Sequence, residues 1–416
     1  MKKLLKKIAL LLPIFIKKQI ILKRENYYRI AALKKETAEY SVNHKIKERT
    51  DSKKNLLIYH TQGLGFGGTE KILQILANNL CEEFNVYFLY SNIHNKESRK
   101  NFINQRVNLI QFAYSHIDKQ TPYYMSGMSP FIKEIISDKN IDMIISAGAG
   151  DTYYPINTIS EVPIILINIF GTPNLQKNIV SNIFISETVK KYSEKFTGPR
   201  ESNQALWIPT STPPIDSKER GTEIRKSFNI KDTDFVFGRI GRNSDSIFDP
   251  IGINAFKEIV KTNPSAHYII MSAPPILEKI VSDEKIPNVH FLDPSADEND
   301  IWGFHYSIDA LAHFRYDGET FGLNIAESMY AGNPILSHKS HIWNAHLEYL
   351  NDSFSRVSEV GDVNSYANNM IEFINIKQHN IKNWVKMKEI AERTALQNFS
   401  EKKYAEKINT VIKKYI

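Results

Sequence analysis

The sequence predicts an α/β fold: two domains of similar size, each a parallel β-sheet covered by helices on both faces, behind a basic N-terminal extension. Three observations lead there. From Asn55 onward, short apolar runs rich in Ile, Val and Tyr alternate with amphipathic helical stretches. Strands that read as continuous apolar runs are buried on both faces, and alternation with helices makes them parallel. The Pro-rich segment Pro209–Pro214 breaks the alternation, which then restarts, as expected of two units joined by a hinge. Finally, the net charge of +7 is segregated, because residues 1–54 hold 16 Lys/Arg against 5 Asp/Glu and leave the rest of the chain mildly acidic.

At 416 residues, 42% hydrophobic and 24% charged, the chain suits two or three globular domains of ~100–200 residues each. Its one cysteine, Cys81, excludes an internal disulfide and thiolate metal clusters. An acidic body speaks against a nucleic-acid surface on the folded domains.

The extension, residues 1–54, comes first. Its apolar run from Ile8 to Ile16 is nine residues and contains Pro13, too short against the ~20 that span a bilayer. Lysines 2, 3, 6, 7, 17 and 18 flank that run, so residues 1–22 are expected to lie as an amphipathic helix on an anionic membrane surface. A helix docked on the body is the alternative. No small-residue cleavage site follows, so secretion is not expected.

The first domain, 55–210, takes its strands from Leu56–Tyr59, Val86–Tyr90, Ile141–Ser146 and Val162–Ile169, with helices over Lys71–Leu80 and Ser129–Ser137. In the second, 222–385, strands are expected at Phe235–Ile240, His267–Ser272, Val289–Leu292, Ile308–Phe314 and Pro334–Ser337, with a helix over Ile251–Lys261. The remainder, 386–416, reads as helix.

Two motifs carry chemistry. Gly63-Leu64-Gly65-Phe66-Gly67-Gly68-Thr69-Glu70 follows a strand and opens a helix, a backbone setting for an anion. Gly63, Gly65 and Gly68 match G-x-G-x-x-G, but the dinucleotide reading needs an acidic residue at the end of the next strand, and Ser91 and Asn92 stand there. A tight turn with no ligand is the competing reading. The second motif runs from Asp317 to Pro334. Glu319 sits in a loop at a strand's C-terminal end, where open α/β sheets bind ligands, and Phe321-Gly322-Leu323 begins a helix. Glu327 lies eight residues past Glu319, so both carboxylates can face one cleft and accept hydrogen bonds from vicinal hydroxyls.

Together, Gly67-Gly68-Thr69-Glu70 and Glu319-x-Phe321-Gly322…Glu327-Ser328-Met329…Gly332-Asn333-Pro334 resemble the retaining GT-B glycosyltransferases of the large glycogen-synthase/mannosyltransferase-like family (family 4-like, group 1). Asn344-Ala345-His346-x-Glu348 resembles a turn seen after this block in some bacterial members. The resemblance implies two Rossmann-like domains facing across a cleft and a C-terminal helix, Phe399–Ile416, crossing back. It implies that Glu327 binds the ribose hydroxyls and Glu319 the donor sugar. Phe321, Gly322 and Leu323 would give backbone contacts, and Gly67 and Gly68 would approach the diphosphate. Arg242 would neutralise the leaving diphosphate, with Arg239 a competing candidate placed inside the strand.

Two departures stand out. A lysine usual after the arginine is replaced in Asn243–Phe248, where Ile247 is the nearest match and Ser246 a substitute donor; Arg315 is another. A histidine common after the fourth strand is replaced by Phe170. His338, His341 and His346 read as loop histidines rather than zinc ligands. No G-x-S-x-G elbow or P-loop lysine appears.

The expected protein is a retaining hexosyltransferase moving a sugar from a UDP- or GDP-linked donor to a glycan or lipid-linked acceptor in bacterial surface polysaccharide assembly. It needs no metal or other cofactor, and it is cytoplasmic, peripheral on the inner face of the membrane. The alternative is a non-catalytic nucleotide-sugar-binding paralogue or scaffold, with a sugar epimerase on the same fold third.

Overall fold

The computed structural model describes residues 53–60, 63–65, 67–91, 100–112, 128–150, 155–174 and 176–416. The expected membrane-surface helix at 1–22 lies outside the described residues. Among them no helix is long and apolar enough to cross a membrane.

Two parallel sheets dominate. The first has seven strands: β1 (Asn55–Tyr59), β2 (Asn85–Ser91), β3 (Asn108–Phe112), β4 (Met143–Gly148), β5 (Ile164–Asn168), β6 (Ile179–Phe184) and β7 (Asn203–Ala205). They lie in the order β3-β2-β1-β4-β5-β6-β7. The second has six: β8 (Phe235–Ile240), β9 (Ala266–Met271), β10 (Val289–Leu292), β11 (Ala310–Ala312), β13 (Ile335–His338) and β15 (Ser355–Ser358), ordered β10-β9-β8-β11-β13-β15. Each is a doubly wound sheet whose strand order reverses beside its first strand. A small third sheet pairs β12 (Gly318–Glu319) with β14 (Trp343–Asn344).

Sequence pattern explains the central strands. Leu56, Leu57, Ile58 and Tyr59 of β1 are fully buried, alternate residues packing on opposite faces of the sheet. The expected strand Ile308–Phe314 shrinks to β11, because only Ala310–Ala312 sits between β8 and β13. The strands β3, β6, β7 and β15 carry polar residues such as Asn108, Ser181, Asn203 and Arg356, so they do not read as apolar runs.

Helices cover these sheets: α1 (Gly68–Leu80), α2 (Met128–Asp138), α3 (Glu187–Thr197), α4 (Ser217–Ser227), α5 (Ile251–Ile259), α6 (Pro275–Asp283), α7 (Glu298–Ser307), α8 (Leu323–Tyr330), α9 (Val363–His379), α10 (Ile381–Asn398) and α11 (Glu401–Tyr415). The first starts earlier than expected, since Gly67 takes an extended conformation and caps it, which puts Lys71 in its opening turn. The hinge segment is packed: Thr210 N donates to Phe399 O at 3.0 Å. Beyond it α11 lies against α1, with Asn409 Nδ2 and Lys413 Nζ both 2.5 Å from the Glu83 carboxylate.

Candidate active site

The glycine loop follows β1, Arg242 follows β8 and Glu319 follows β11, so the quoted residues sit at the C-terminal edges of both sheets, beside the points where strand order reverses.

Glu319 is presented by β12. Gly318, at φ +70°, permits this pairing, since a side chain there would collide with the Trp343 carbonyl. The Glu319 carboxylate is almost wholly enclosed. Nε2 of His313 lies 3.3 Å from Oε1 and Nη1 of Arg315 lies 3.6 Å from it. Arg315 is itself clamped by Asp317, with Nε–Oδ1 2.6 Å and Nη2–Oδ2 3.0 Å. Burial pushes the Glu319 carboxyl up, but Arg315, His313 and His346 more than offset this and hold it at about 2.

Two of the three expected loop histidines lie elsewhere: His338 ends β13 and His346 sits in the short turn Ala345–Glu348, and both belong to this scaffold. Nδ1 of His338 lies 2.7 Å from Lys339 O, while its Nε2 accepts from Arg315 N at 3.1 Å. Those contacts fix the neutral Nδ1–H tautomer. His346 is fully buried, and burial lowers it to about 4. Only His341 is exposed, stacked on Tyr316 at 4.4 Å. Among the described residues no three His, Cys, Asp or Glu side chains converge as a metal-ligand set.

The loop between the two glutamates turns at Gly322, whose φ of +93° is left-handed. Tyr349 pins it, its hydroxyl donating to Phe321 O at 2.5 Å and lying 3.3 Å from Gly322 O. Phe321 is buried against Tyr349 and Phe399, so its side chain belongs to the core and only its backbone faces the loop. Leu323 opens α8. A side chain on Gly68, the first residue of α1, would lie 3.8 Å from Leu323 Cδ2. Two helix N-termini from opposite domains thus meet, and their partial positive charges favour an anion between them.

Glu327, one turn into α8, is buried. Its Oε1 lies 2.5 Å from Nζ of Lys71, which reaches across from α1, and its Oε2 lies 3.6 Å from His305 Nε2. The same ammonium is 3.0 Å from Glu298 Oε2, which also accepts from Ser211 Oγ at 2.6 Å. Burial raises the Glu327 carboxyl, yet Lys71 above all, with His305, holds it at about 2.

The two arginines separate as expected. Arg239 lies within β8, 1% exposed, its guanidinium 5.0 Å over the Phe314 ring, and burial lowers it to about 10. Its Nε and Nη1 have no hydrogen-bond partner. Arg242 stands exposed in the loop after the strand. Ser246 is exposed nearby, its hydroxyl 2.9 Å from that of Ser244, whereas Ile247 is buried. Phe170 is 45% exposed. At the other motif, Gly67 is exposed, and the Glu70 carboxylate folds back over it, so that a side chain there would have to displace that carboxylate.

Sequence reasoning missed Lys71, Glu298, His305, His313 and Tyr349. Lys71 is next to the quoted Gly67–Glu70 block, a local signal, whereas nothing in the sequence ties it to residues more than two hundred positions away.

No family model matches the chain, and no curated protein matches it in sequence. Solved structures do. A glycosyltransferase from Rickettsia africae ESF-5 superposes with TM-score 0.69 at 12% identity, covering 88% of this chain and 99% of that one. The chain has the GT-B fold. HepE from Anabaena, solved with UDP and glucose, gives 0.64 at 17% identity over 87% of this chain and 99% of its own. A UDP-GlcNAc 2-epimerase from Neisseria meningitidis gives 0.57 at 13% identity, over 87% and 100%. The GT-B fold therefore hosts more than one reaction, and the site must decide between them.

Proposed function

We propose that this protein is a retaining glycosyltransferase that takes a sugar from a UDP- or GDP-linked donor. The observation that carries the reading is the pair of ionised, buried carboxylates, Glu319 and Glu327, on either side of a helix start that faces a second helix start. Carboxylates accept hydrogen bonds from hydroxyls, and paired N-termini accept a diphosphate. In this reading Glu327 holds the ribose and Glu319 the sugar. The N–H groups of Gly322 and Leu323, which have no acceptor among the described residues, face the phosphates, as do Gly67 and Gly68.

Neither carboxylate acts as a nucleophile in this scheme. The acceptor hydroxyl attacks the anomeric carbon on the face from which the nucleotide leaves, and the departing phosphate takes its proton. Negative charge grows on the diphosphate, so fixed positive groups lower the barrier. Arg242, exposed and unclamped, is assigned to that charge, and no metal is assigned a role. Arg239 is held in the sheet and Arg315 is committed to Asp317 and Glu319.

The acceptor is a glycan or lipid-linked saccharide of surface polysaccharide assembly, met at the cytoplasmic membrane face through residues 1–22. Deleting those residues is expected to abolish sedimentation with anionic liposomes and to leave donor binding intact. The second reading, a binding paralogue, draws on Ile247, a buried apolar side chain where the family has a cation.

A panel of nucleotide-sugars, following binding, hydrolysis and product stereochemistry, tests the proposal. Arg242→Ala should lower turnover a hundredfold or more, about 2.7–4 kcal/mol of transition-state stabilisation, with little loss of donor affinity. Binding without transfer or hydrolysis establishes the paralogue, and release of an epimerised sugar establishes the epimerase.

A further inference from the structure

We propose that Lys71 is a positioning residue for the donor: reaching from the first domain, it orients the Glu327 carboxylate of the second, so that the ribose site is complete only when the cleft is closed. The inference rests on the reading of Glu327 as the ribose carboxylate.

The geometry is specific. Lys71 is 3% exposed, and its ammonium sits between Glu327 Oε1 at 2.5 Å and Glu298 Oε2 at 3.0 Å. These carboxylates stand on two helices, α8 and α7, and the lysine on a third from the other domain. Ser211 of the hinge segment donates to Glu298 at 2.6 Å, and Trp302 Nε1 donates to Ser211 Oγ at 3.2 Å. Hinge, α7, α8 and α1 therefore meet through one ammonium.

Lys71 does not exclude a ribose. An ionised carboxylate offers about four lone-pair sites, and the ammonium takes one of those on Oε1. What it supplies is charge and direction. Without a counter-ion a carboxylate this deeply buried is pushed toward its neutral form, which accepts hydrogen bonds from vicinal hydroxyls less strongly. Opening the cleft would carry Lys71 away with α1 and have that effect on Glu327. The titratable groups facing Glu327 are Lys71 on α1 and Glu298 and His305 on α7.

The experiment measures dissociation constants of UDP and GDP by calorimetry from pH 4.5 to 8, with inorganic diphosphate as a probe that lacks ribose. Wild type, Lys71→Met, Lys71→Gln, Lys71→Arg and Glu327→Gln are compared, each checked for folding by circular dichroism. For the nucleotide that wild type binds, affinity should be insensitive to Glu327 titration across this range. Lys71→Met and Lys71→Gln should weaken it about tenfold or more at pH 7 and make it weaker still as pH falls, because Glu327 now takes up a proton. Lys71→Arg should restore the wild-type profile, and diphosphate binding should be unchanged in every variant. Unaltered or tighter nucleotide binding in the folded neutral variant, with a wild-type pH profile, would overturn the proposal. So would an equal loss for inorganic diphosphate, which would make Lys71 a phosphate ligand. If Glu327→Gln leaves nucleotide affinity unchanged, the ribose assignment of Glu327 is what fails.

Discussion

Glu319 and Glu327 look alike in the sequence and are held in different ways. Both are buried and ionised, yet the partners of Glu319 come from its own domain, while the closest partner of Glu327 comes from the other. Glu319 is fixed by His313 and Arg315 next to β11, a local cluster that survives any movement of the domains. Glu327 depends on Lys71, 256 residues away in the chain. One carboxylate is held within its own domain; the other is held across the cleft, and in the proposed reading is conditional on closure. In the proposed reading, that division lets sugar and nucleotide be gripped at different moments.

The largest effect should come from the Glu319 side. Glu319→Gln keeps shape but removes the charge that the proposed reading sets beside the donor sugar, and Arg315 retains Asp317 as a partner, so the fold should hold. Turnover is expected to fall about a hundredfold or more, while donor affinity changes little. A loss confined to affinity would show that the two glutamates have exchanged roles.

Acid separates the two environments next. Both carboxyls are depressed from the ordinary 4.5 to about 2. A depressed carboxyl contributes stability above its unfolded value and loses it as pH falls through its folded one, so the loss should run from about pH 4.5 down to 2. Each is worth about 3 kcal/mol at most. Denaturant unfolding across that window should show both contributions in wild type. Lys71→Met should lose the share of Glu327 and keep that of Glu319; loss of both would mean that the two clusters are one.

The comparison also explains what was legible in the sequence. The strand–loop–helix carrying Glu319 and Glu327 could be read because its causes are local: an apolar run, a glycine pair and a helix start within a few residues. The strands β1 and β8 were clear for the same reason. The polar edge strand β7 and the two-residue strands β12 and β14 were not, since pairing rather than composition makes them. The Lys71 bridge and the hold of Tyr349 on the loop are long-range contacts that only the fold brings together.

The loop between the glutamates decides how independent the two sides are. Gly322→Ala places a side chain at a φ of +93°, with Ile325 Cδ1 and the Tyr349 hydroxyl each 3.0 Å from the new carbon. The strain should cost about 1–3 kcal/mol of stability. Because the loop leads to both carboxylates, donor affinity and turnover should fall together. A thermal-shift measurement paired with donor titration checks this, and a stability loss with intact binding would show the loop to be scaffold only.

The mildest test keeps the backbone and removes one hydroxyl. Tyr349→Phe deletes the donor to Phe321 O and Gly322 O while keeping the ring against Phe321, Phe399 and Trp207. The net loss of such a hydrogen bond is about 0.5–1.5 kcal/mol. Stability should drop by that amount, and the freed loop should let the Leu323 helix start drift from the proposed phosphate position, raising the donor KM by roughly the same free energy. Combined with Glu319→Gln, the effects should be less than additive, because the Tyr349 hydroxyl holds Phe321 and Gly322, two and three residues past Glu319, and feels the Glu319 charge. Combined with Glu327→Gln, they should also be less than additive in donor affinity, since the helix start and the proposed ribose carboxylate both lie on α8. Additivity in both pairings would mean that the loop carries no coupling, and that Glu327 is governed by Lys71 alone.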